Sequence, residues 1–314
     1  MATVSVIIPL YNKGPYIRRT LESVLAQTWQ DFEIVVVDDG STDDGPAIVR
    51  AYPDPRVRLI QQANQGPGAA RNHGIRASTA PYLAFLDADD EWLPGFLEKA
   101  AGTLKDHDDC LVFVTNYFLD KERDTYLGCH PEVPLEPGIN RLPVDISPEL
   151  TKACVNMFAQ GAVVIHRGVV DHLGGYYEDG CTYGEDTYLW LRVLLHYPLY
   201  MCEEPLLRIH YDASTLVRNR PTSHPVHVLV KHATEILDGS PAQYRGLLKG
   251  LLDQYALTSL WRRLDDGDYA AARTITERFP YSRRYRSQFL KARIKLRILP
   301  WLASHNILHR TKSP

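Results

Sequence analysis

Tyr82-Leu83-Ala84-Phe85-Leu86-Asp87-Ala88-Asp89 runs from continuous apolar residues into two carboxylates separated by one small residue. An unbroken apolar run of this kind reads as a strand covered on both faces. Its end puts Asp87 and Asp89 where the strand leaves its sheet. Two carboxylates so close repel unless a proton or a cation lies between them. Hard cations such as Mg²⁺ take carboxylate oxygens and commonly share them with substrate phosphates. A solvated turn has the same local sequence, so the surrounding chain decides between the two readings.

Outward from this stretch, apolar runs alternate with amphipathic ones. Residues 4–8, 32–37, 57–60, 82–86 and 110–119 read as strands, mostly short and β-branched. Residues 16–26 place Ile17, Leu21, Val24 and Leu25 on one helical face. A second helix is expected over 68–77 with Pro67 at its first turn. A third is expected from Pro94, carrying Phe96, Leu97, Ala100 and Leu104. Such alternation implies an α/β fold with a mostly parallel central sheet and right-handed crossovers, in which ligands bind beyond the carboxyl ends of the strands. Residues 120–150, rich in Pro, Gly and charge, read as a flap or insertion. Beyond them a short strand is expected over 162–166, a helix over 185–195 and a strand over 201–209. From about residue 224 the pattern is helical.

Composition narrows the class. The 314 residues are 45% hydrophobic and 23% charged, as in a soluble globular protein. A net charge of −3 disfavours a nucleic-acid binder. No apolar run approaches the roughly 18 residues that span a membrane, and the first strand starts at Val4 without a preceding basic segment, unlike a signal peptide. Cys110, Cys129, Cys154, Cys181 and Cys202 show neither C-x-x-C nor finger spacing, which fits reduced thiols in the cytoplasm.

The other strand ends are polar as well. The first runs into Pro9-Leu10-Tyr11-Asn12, the second into Asp38-Asp39-Gly40-Ser41-Thr42-Asp43. No Gly-x-Gly-x-x-Gly or Walker lysine loop follows the first strand. Asn64-Gln65-Gly66-Pro67-Gly68-Ala69-Ala70-Arg71-Asn72 is a glycine-rich turn leading into a helix, a backbone suited to phosphate, with Arg71 about one turn inside. Taken together, residues 5–12, Ser23-Val24-Leu25-Ala26-Gln27-Thr28, residues 37–43, residues 68–74 and Phe85-Leu86-Asp87-Ala88-Asp89-Asp90 resemble, in order, an inverting family 2 glycosyltransferase with the GT-A (nucleotide-diphospho-sugar transferase) fold. Gly174-Gly175-Tyr176-Tyr177-Glu178 and residues 184–192 are similar to the family's later motifs. The resemblance covers roughly residues 3–215.

That resemblance implies a catalytic domain over 1–220, followed by a helical C-terminal region over 221–314. It implies transfer of one sugar from a nucleotide-diphosphate donor, expected to be UDP-linked, to a hydroxyl of a glycan or lipid-linked saccharide, in cell-surface polysaccharide synthesis. Pro9, Tyr11, Asp39 and Arg71 match donor-binding positions. Asp87 matches a position near ribose or metal, and Asp89 a ligand of Mn²⁺ or Mg²⁺. His210, followed by Ser214, is similar to a late motif approaching metal or diphosphate. Asp186 matches the general base. Breaking a sugar–diphosphate bond calls independently for a Lewis acid at the leaving group and a carboxylate within reach of the acceptor hydroxyl. Glu185 and Trp190 are candidates to meet the acceptor; for Trp190 a core position weighs more. The Gln-x-x-Arg-Trp motif and membrane helices of processive relatives are lacking from the sequence. The alternatives are a non-catalytic nucleotide-sugar-binding or scaffold protein, which has no need of both Asp89 and Asp186, and a sugar-phosphate nucleotidyltransferase, which usually begins on a glycine-rich basic loop.

The charge is uneven. Residues 281–314 hold six Arg and three Lys and no acid, leaving about −12 on the first 280 residues. At helical spacing Tyr285, Phe289, Ala292, Leu296 and Leu299 share one face, and Leu290, Ile294 and Ile298 nearly the opposite one. One face is expected to pack internally. The other suits an anionic membrane, so that the protein would lie peripherally on its inner face; a second packed side or a dimer contact are the alternatives.

Overall fold

In the computed structural model, residues 2–119, 124–178, 184–210, 226–279 and 285–304 are described, the last six of these as backbone only. Cys181, Ser214 and the start and end of the basic tail lie outside the described residues. The chain divides into two compact units, residues 1–219 and 220–314.

The first unit opens with β1 (Val4–Leu10), α1 (Gly14–Leu25), β2 (Phe32–Asp38), α2 (Gly45–Arg50), β3 (Val57–Gln61), α3 (Pro67–Ala77) and β4 (Tyr82–Phe85). Next come β5 (Glu91–Trp92), α4 (Phe96–Asp106), β6 (Val112–Leu119), β7 (Asp124–Thr125), α5 (Tyr126–Cys129), β8 (Gly138–Asn140) and α6 (Pro148–Asn156). After a single 3₁₀ turn, β9 (Val163–His166), α7 (Arg167–Leu173), α8 (Glu185–His196) and β10 (Leu199–Ile209) complete it. The sheet order is β3-β2-β1-β4-β9-β6-β10-β5, with β7 on β6 and β8 on β10.

The expectation of a parallel sheet describes the first four strands, which pair in parallel as 3-2-1-4. Further along the sheet is mixed. β9 runs antiparallel to both β4 and β6, while β6 and β10 are again parallel. Residues 124–150, expected as a flap or insertion, are anchored at two points: Asp124–Thr125 pair with β6 and Gly138–Asn140 with β10.

Burial explains why these segments are strands and helices. Val6, Ile7, Ile8, Ile34, Val35, Val36 and Val37 are all 0% exposed, so β1 and β2 are covered on both faces. Each such side chain contributes about 1.5–3 kcal/mol on leaving water. Ile17, Leu21 and Val24 form the fully buried stripe of α1. α3 approaches β1 and β2 through Gly74, where a Cβ would lie 2.5 Å from Ile7 Cγ2 and 3.2 Å from Val37 Cγ2. This close approach fixes the height of α3 over the carboxyl ends of β1, β2 and β4, where residues 9–12, 38–43 and 87–90 emerge together.

The second unit is helical among its described residues: α9 (Val228–Lys231), α10 (Ala233–Gly239), α11 (Arg245–Asp265), α12 (Tyr269–Arg278) and α13 (Arg286–Ser304). α11 is its axis, burying Leu248, Leu251, Leu252, Ala256 and Leu260. α12 and α13 both pack on α11. From α13, Tyr285 at its start, Phe289, Ala292 and Leu296 turn inward. No helix among the described residues is long and apolar enough to cross a membrane.

Gly74→Ala is expected to destabilise the first unit by about 1–3 kcal/mol through overpacking against Ile7. Urea unfolding followed by circular dichroism measures it, and an unchanged midpoint would refute the close-packing account.

Candidate active site

The first wall of the site is built from turns that carboxylates hold closed. Asp39, 3% exposed, accepts Gln62 Nε2 (2.8 Å), Gln65 N (2.9 Å) and Gly66 N (2.9 Å). It thereby folds the chain from β3 back toward the start of α3. Asn12 has a left-handed φ of 51°; its N–H donates to Ser41 Oγ (3.0 Å) and its Oδ1 accepts Thr42 N (2.8 Å). Asp43 accepts Gly14 N at 2.7 Å and Gly45 N at 3.0 Å, tying together the beginnings of α1 and α2. Tyr11 is left 48% exposed at the rim, beside the partly exposed Pro9.

Arg71 is the centre of the arrangement. It is 4% exposed. Its Nη2 donates to Asp87 Oδ1 at 2.8 Å and its Nη1 to Glu185 Oε1 at 3.2 Å, while the guanidinium lies 5.3 Å from the Tyr176 ring centre. Burial works against its charge; Asp87, Tyr176 and Glu185 outweigh burial and hold Arg71 above its usual range. Its Nε is buried without a partner. Next to it, Asn72 receives Tyr176 N (2.9 Å) and donates to Tyr176 O and Glu178 Oε1 (2.7 Å each). One helix turn thus grips the strand-four carboxylate, the Gly174–Glu178 segment and the start of α8. Gly68 permits this, since a Cβ there would meet Tyr177 O at 2.4 Å and Glu185 Cγ at 3.1 Å.

The acidic turn after β4 is crowded with charge. Asp89 is 8% exposed and ion-paired to Lys13. Burial and Asp87 push its carboxyl up, and Lys13 draws it back. Asp90 is pushed well up by burial, Asp87 and Asp89; its Oδ1 accepts the His210 backbone N–H at 3.0 Å. Arg19 Nη2 donates to Asp89 O (2.5 Å) and Thr20 Oγ1 to Asp90 O (2.9 Å), so α1 clamps the turn. Glu91 Oε2 gathers His210 Nε2 (2.6 Å), Arg208 Nη1 (3.6 Å) and Arg19 Nε (3.9 Å). Asp87 pushes up Asp89 and Asp90, and Asp89 pushes up Asp90. Among the described residues no group of three or more acids, histidines or cysteines could hold a metal ion by itself; Asp87 and Asp89 fit a divalent cation of the Mg²⁺ type only as one or two carboxylates completed by substrate phosphates. His210 joins the turn at Asp90 and Glu91.

α8 starts with Glu185 and Asp186. Burial first, then Asp186, push the Glu185 carboxyl up to about 7, against the pull of Arg71. Asp186 is partly exposed, and its Oδ1 accepts Thr187 N at 2.6 Å. Trp190 takes the core position that its sequence reading favoured, which ends its candidacy for the acceptor. It is 1% exposed, packed among Phe85, Phe158 and Tyr176 at 5.4–6.2 Å between ring centres. One turn past Asp186 it faces the core, where it supports the helix and cannot receive an acceptor sugar. The related candidate Glu185 faces Arg71 and α3.

A family profile described as "Glycosyl transferase family 2" matches residues 5–172. The chain belongs to glycosyltransferase family 2. It is 50% identical over 97 residues to the uncharacterized glycosyltransferase YibD of Escherichia coli, covering 30% of this chain and 28% of that one. To an uncharacterized glycosyltransferase of Rickettsia felis it is 29% identical over 221 residues, 69% of this chain and 34% of that one. The matched part is thus only about a third of the length of these relatives. Among solved structures it resembles Staphylococcus aureus TarS 1-349 in complex with UDP-GlcNAc, with a TM-score of 0.62 at 19% identity over 93% of this chain and 79% of that one. It also resembles the mannosyltransferase PcManGT of Pyrobaculum calidifontis in complex with GDP-Man and Mn²⁺, with a TM-score of 0.55 at 21% identity over 94% and 86%. These likenesses establish the GT-A fold.

In this family 2 chain, Asp87, Arg71, Glu185 and Asp186 converge from three motifs. Lys13, Asp90 and Glu91 were not singled out from the sequence, although each touches the acidic turn or His210. Only Asp90 carried a signal, as the third acid of Asp87-Ala88-Asp89-Asp90.

Glu185 stays protonated in the folded chain over a range where the unfolded chain, with an ordinary value of 4.5, has ionised. The folded state then binds more protons, so stability falls as pH rises through that window up to about 7. Glu185→Gln removes this titration. The melting temperature of the variant minus that of the wild type is expected to grow between about pH 5 and about pH 8; a difference constant with pH would contradict it.

Proposed function

We propose that this chain transfers one sugar per binding event from a UDP-linked donor to an acceptor hydroxyl, inverting the configuration at the sugar carbon. The observation that carries the reading is the Arg71 bridge, which joins the acidic turn at Asp87 to the acid pair Glu185-Asp186, 114 residues beyond Arg71 in the chain. Two carboxylate functions of different purpose are thereby held side by side. The acceptor is a hydroxyl of a glycan or lipid-linked saccharide of the cell surface.

In this reading Pro9, Tyr11 and Asp39 receive base and ribose beyond the ends of β1 and β2, and Arg71 keeps Asp87 oriented beside the ribose. A divalent cation, Mn²⁺ or Mg²⁺, held by Asp89 with His210 beside it, would stabilise the leaving diphosphate as a Lewis acid. Lys13 pairs with Asp89. Asp186, at the first turn of α8, keeps its charge favoured by the helix dipole and is exposed enough to meet solvent-borne acceptor. It takes the acceptor proton as the acceptor oxygen bonds to the sugar carbon and the bond to the diphosphate breaks on the opposite face. Burial pushes the Glu185 carboxyl up to about 7, so in this reading Asp186, the more exposed of the pair, takes the proton. The UDP preference draws support from TarS, solved with UDP-GlcNAc; PcManGT, solved with GDP-Man, is the competing case.

Titration calorimetry with UDP and GDP in Mn²⁺ tests the donor class: UDP is expected to bind about tenfold or more tighter, and preference for GDP would overturn it. Asp186→Asn should lower transfer by about 10²–10⁴-fold with UDP affinity kept; turnover near wild type would remove its role as base. Asp89→Asn should bring UDP affinity in Mn²⁺ down to the level seen with chelator, and an unchanged Mn²⁺ dependence would exclude Asp89 as a ligand.

A further inference from the structure

α13 buries one side and leaves another apolar side in water. Phe289 and Ala292 are 0% exposed and Leu296 is 6%, against 56% for Leu290, 50% for Ile294 and 48% for Ile298. Six large hydrophobic side chains are exposed among the described residues, and three of them lie on this helix. With about 100° between successive residues, Leu290, Ile294 and Ile298 form a stripe about 80° wide. Arg286, Arg293 and Arg297 border it on one side and Lys291 and Lys295 on the other, all exposed. Between residues 281 and 314 there is no acid to answer these cations.

We propose that this face of α13 is an interfacial surface that seats the second unit on an anionic lipid bilayer. The three apolar side chains would enter the headgroup–acyl boundary, while Arg286, Arg297 and Lys291 reach outward along their aliphatic stems to lipid phosphates; Lys295 lies over the Trp261 ring, 4.7 Å from its centre. Charge decides between occupants. A second copy of the chain docked through the same stripe would form a two-fold contact, bringing the basic borders of one helix against those of the other, with no acid in residues 281–314 of either copy. A bilayer with negative headgroups supplies the opposite sign over an area larger than the stripe. The inference stands apart from the transfer reaction.

Vesicle flotation of the full chain tests it. Binding to phosphatidylglycerol–phosphatidylcholine vesicles is expected, weakening with salt, and about tenfold or more above binding to phosphatidylcholine alone. Leu290→Gln, Ile294→Gln and Ile298→Gln together should lower binding by about tenfold or more, with circular dichroism and melting temperature unchanged because these sites are exposed. Lys291→Gln with Arg297→Gln should weaken binding to the charged vesicles only. Absence of wild-type binding, indifference to lipid charge, or full binding by the triple variant would overturn the proposal. So would a fall in light-scattering mass from dimer to monomer in the triple variant, which would assign the stripe to a second copy.

Discussion

A buried cation shared by two acidic side chains holds the first unit together. Arg71 reaches Asp87 on one side and Glu185 on the other, and at 4% exposure the field of Asp87, Tyr176 and Glu185 outweighs its burial. Removing one partner of such a pair leaves an uncompensated buried charge, at about 3–5 kcal/mol. The same guanidinium spans two parts of the fold that β-sheet hydrogen bonds do not join: the turn after β4 and the start of α8. Order in the site therefore depends on α3, whose position follows from the absence of a side chain at Gly74 and Gly68.

Much of this was legible in the chain. Apolar runs of β-branched residues mark β1 to β4 because burial on both faces removes any need for alternation, and the carboxylates at their ends stand out because they interrupt those runs. Partnerships were harder to see. Nothing near Lys13 in sequence indicates Asp89, 76 residues away, and nothing near Glu91 indicates His210, 119 residues away. Ion pairs between distant segments leave no period in a sequence. Trp190 shows the converse: its place after Asp186 suggested contact with a ligand, yet one turn of α8 carries it into the aromatic cluster around Phe85. The reversal of β9 was also hidden, since Val163–His166 has the same apolar composition whichever way it runs.

The two carboxylate groups of the site live in different electrostatic settings. Around Asp89 and Asp90, acids raise one another and cations from α1 lean in. Around Glu185 the raised carboxyl lies beside a partly exposed one, Asp186. The first setting sits at a strand end and the second at a helix start.

Asp39 has a consequence of its own. Its Oδ1 accepts from Gln62 and Gln65 and its Oδ2 from Gly66. A carboxylate has about four acceptor sites, so Oδ1 is filled while Oδ2 keeps one lone pair. A further donor competing for Oδ1 would displace an amide of the turn and leave it without an acceptor, at about 1–3 kcal/mol. Asp39 therefore offers a newcomer one acceptor atom and not two.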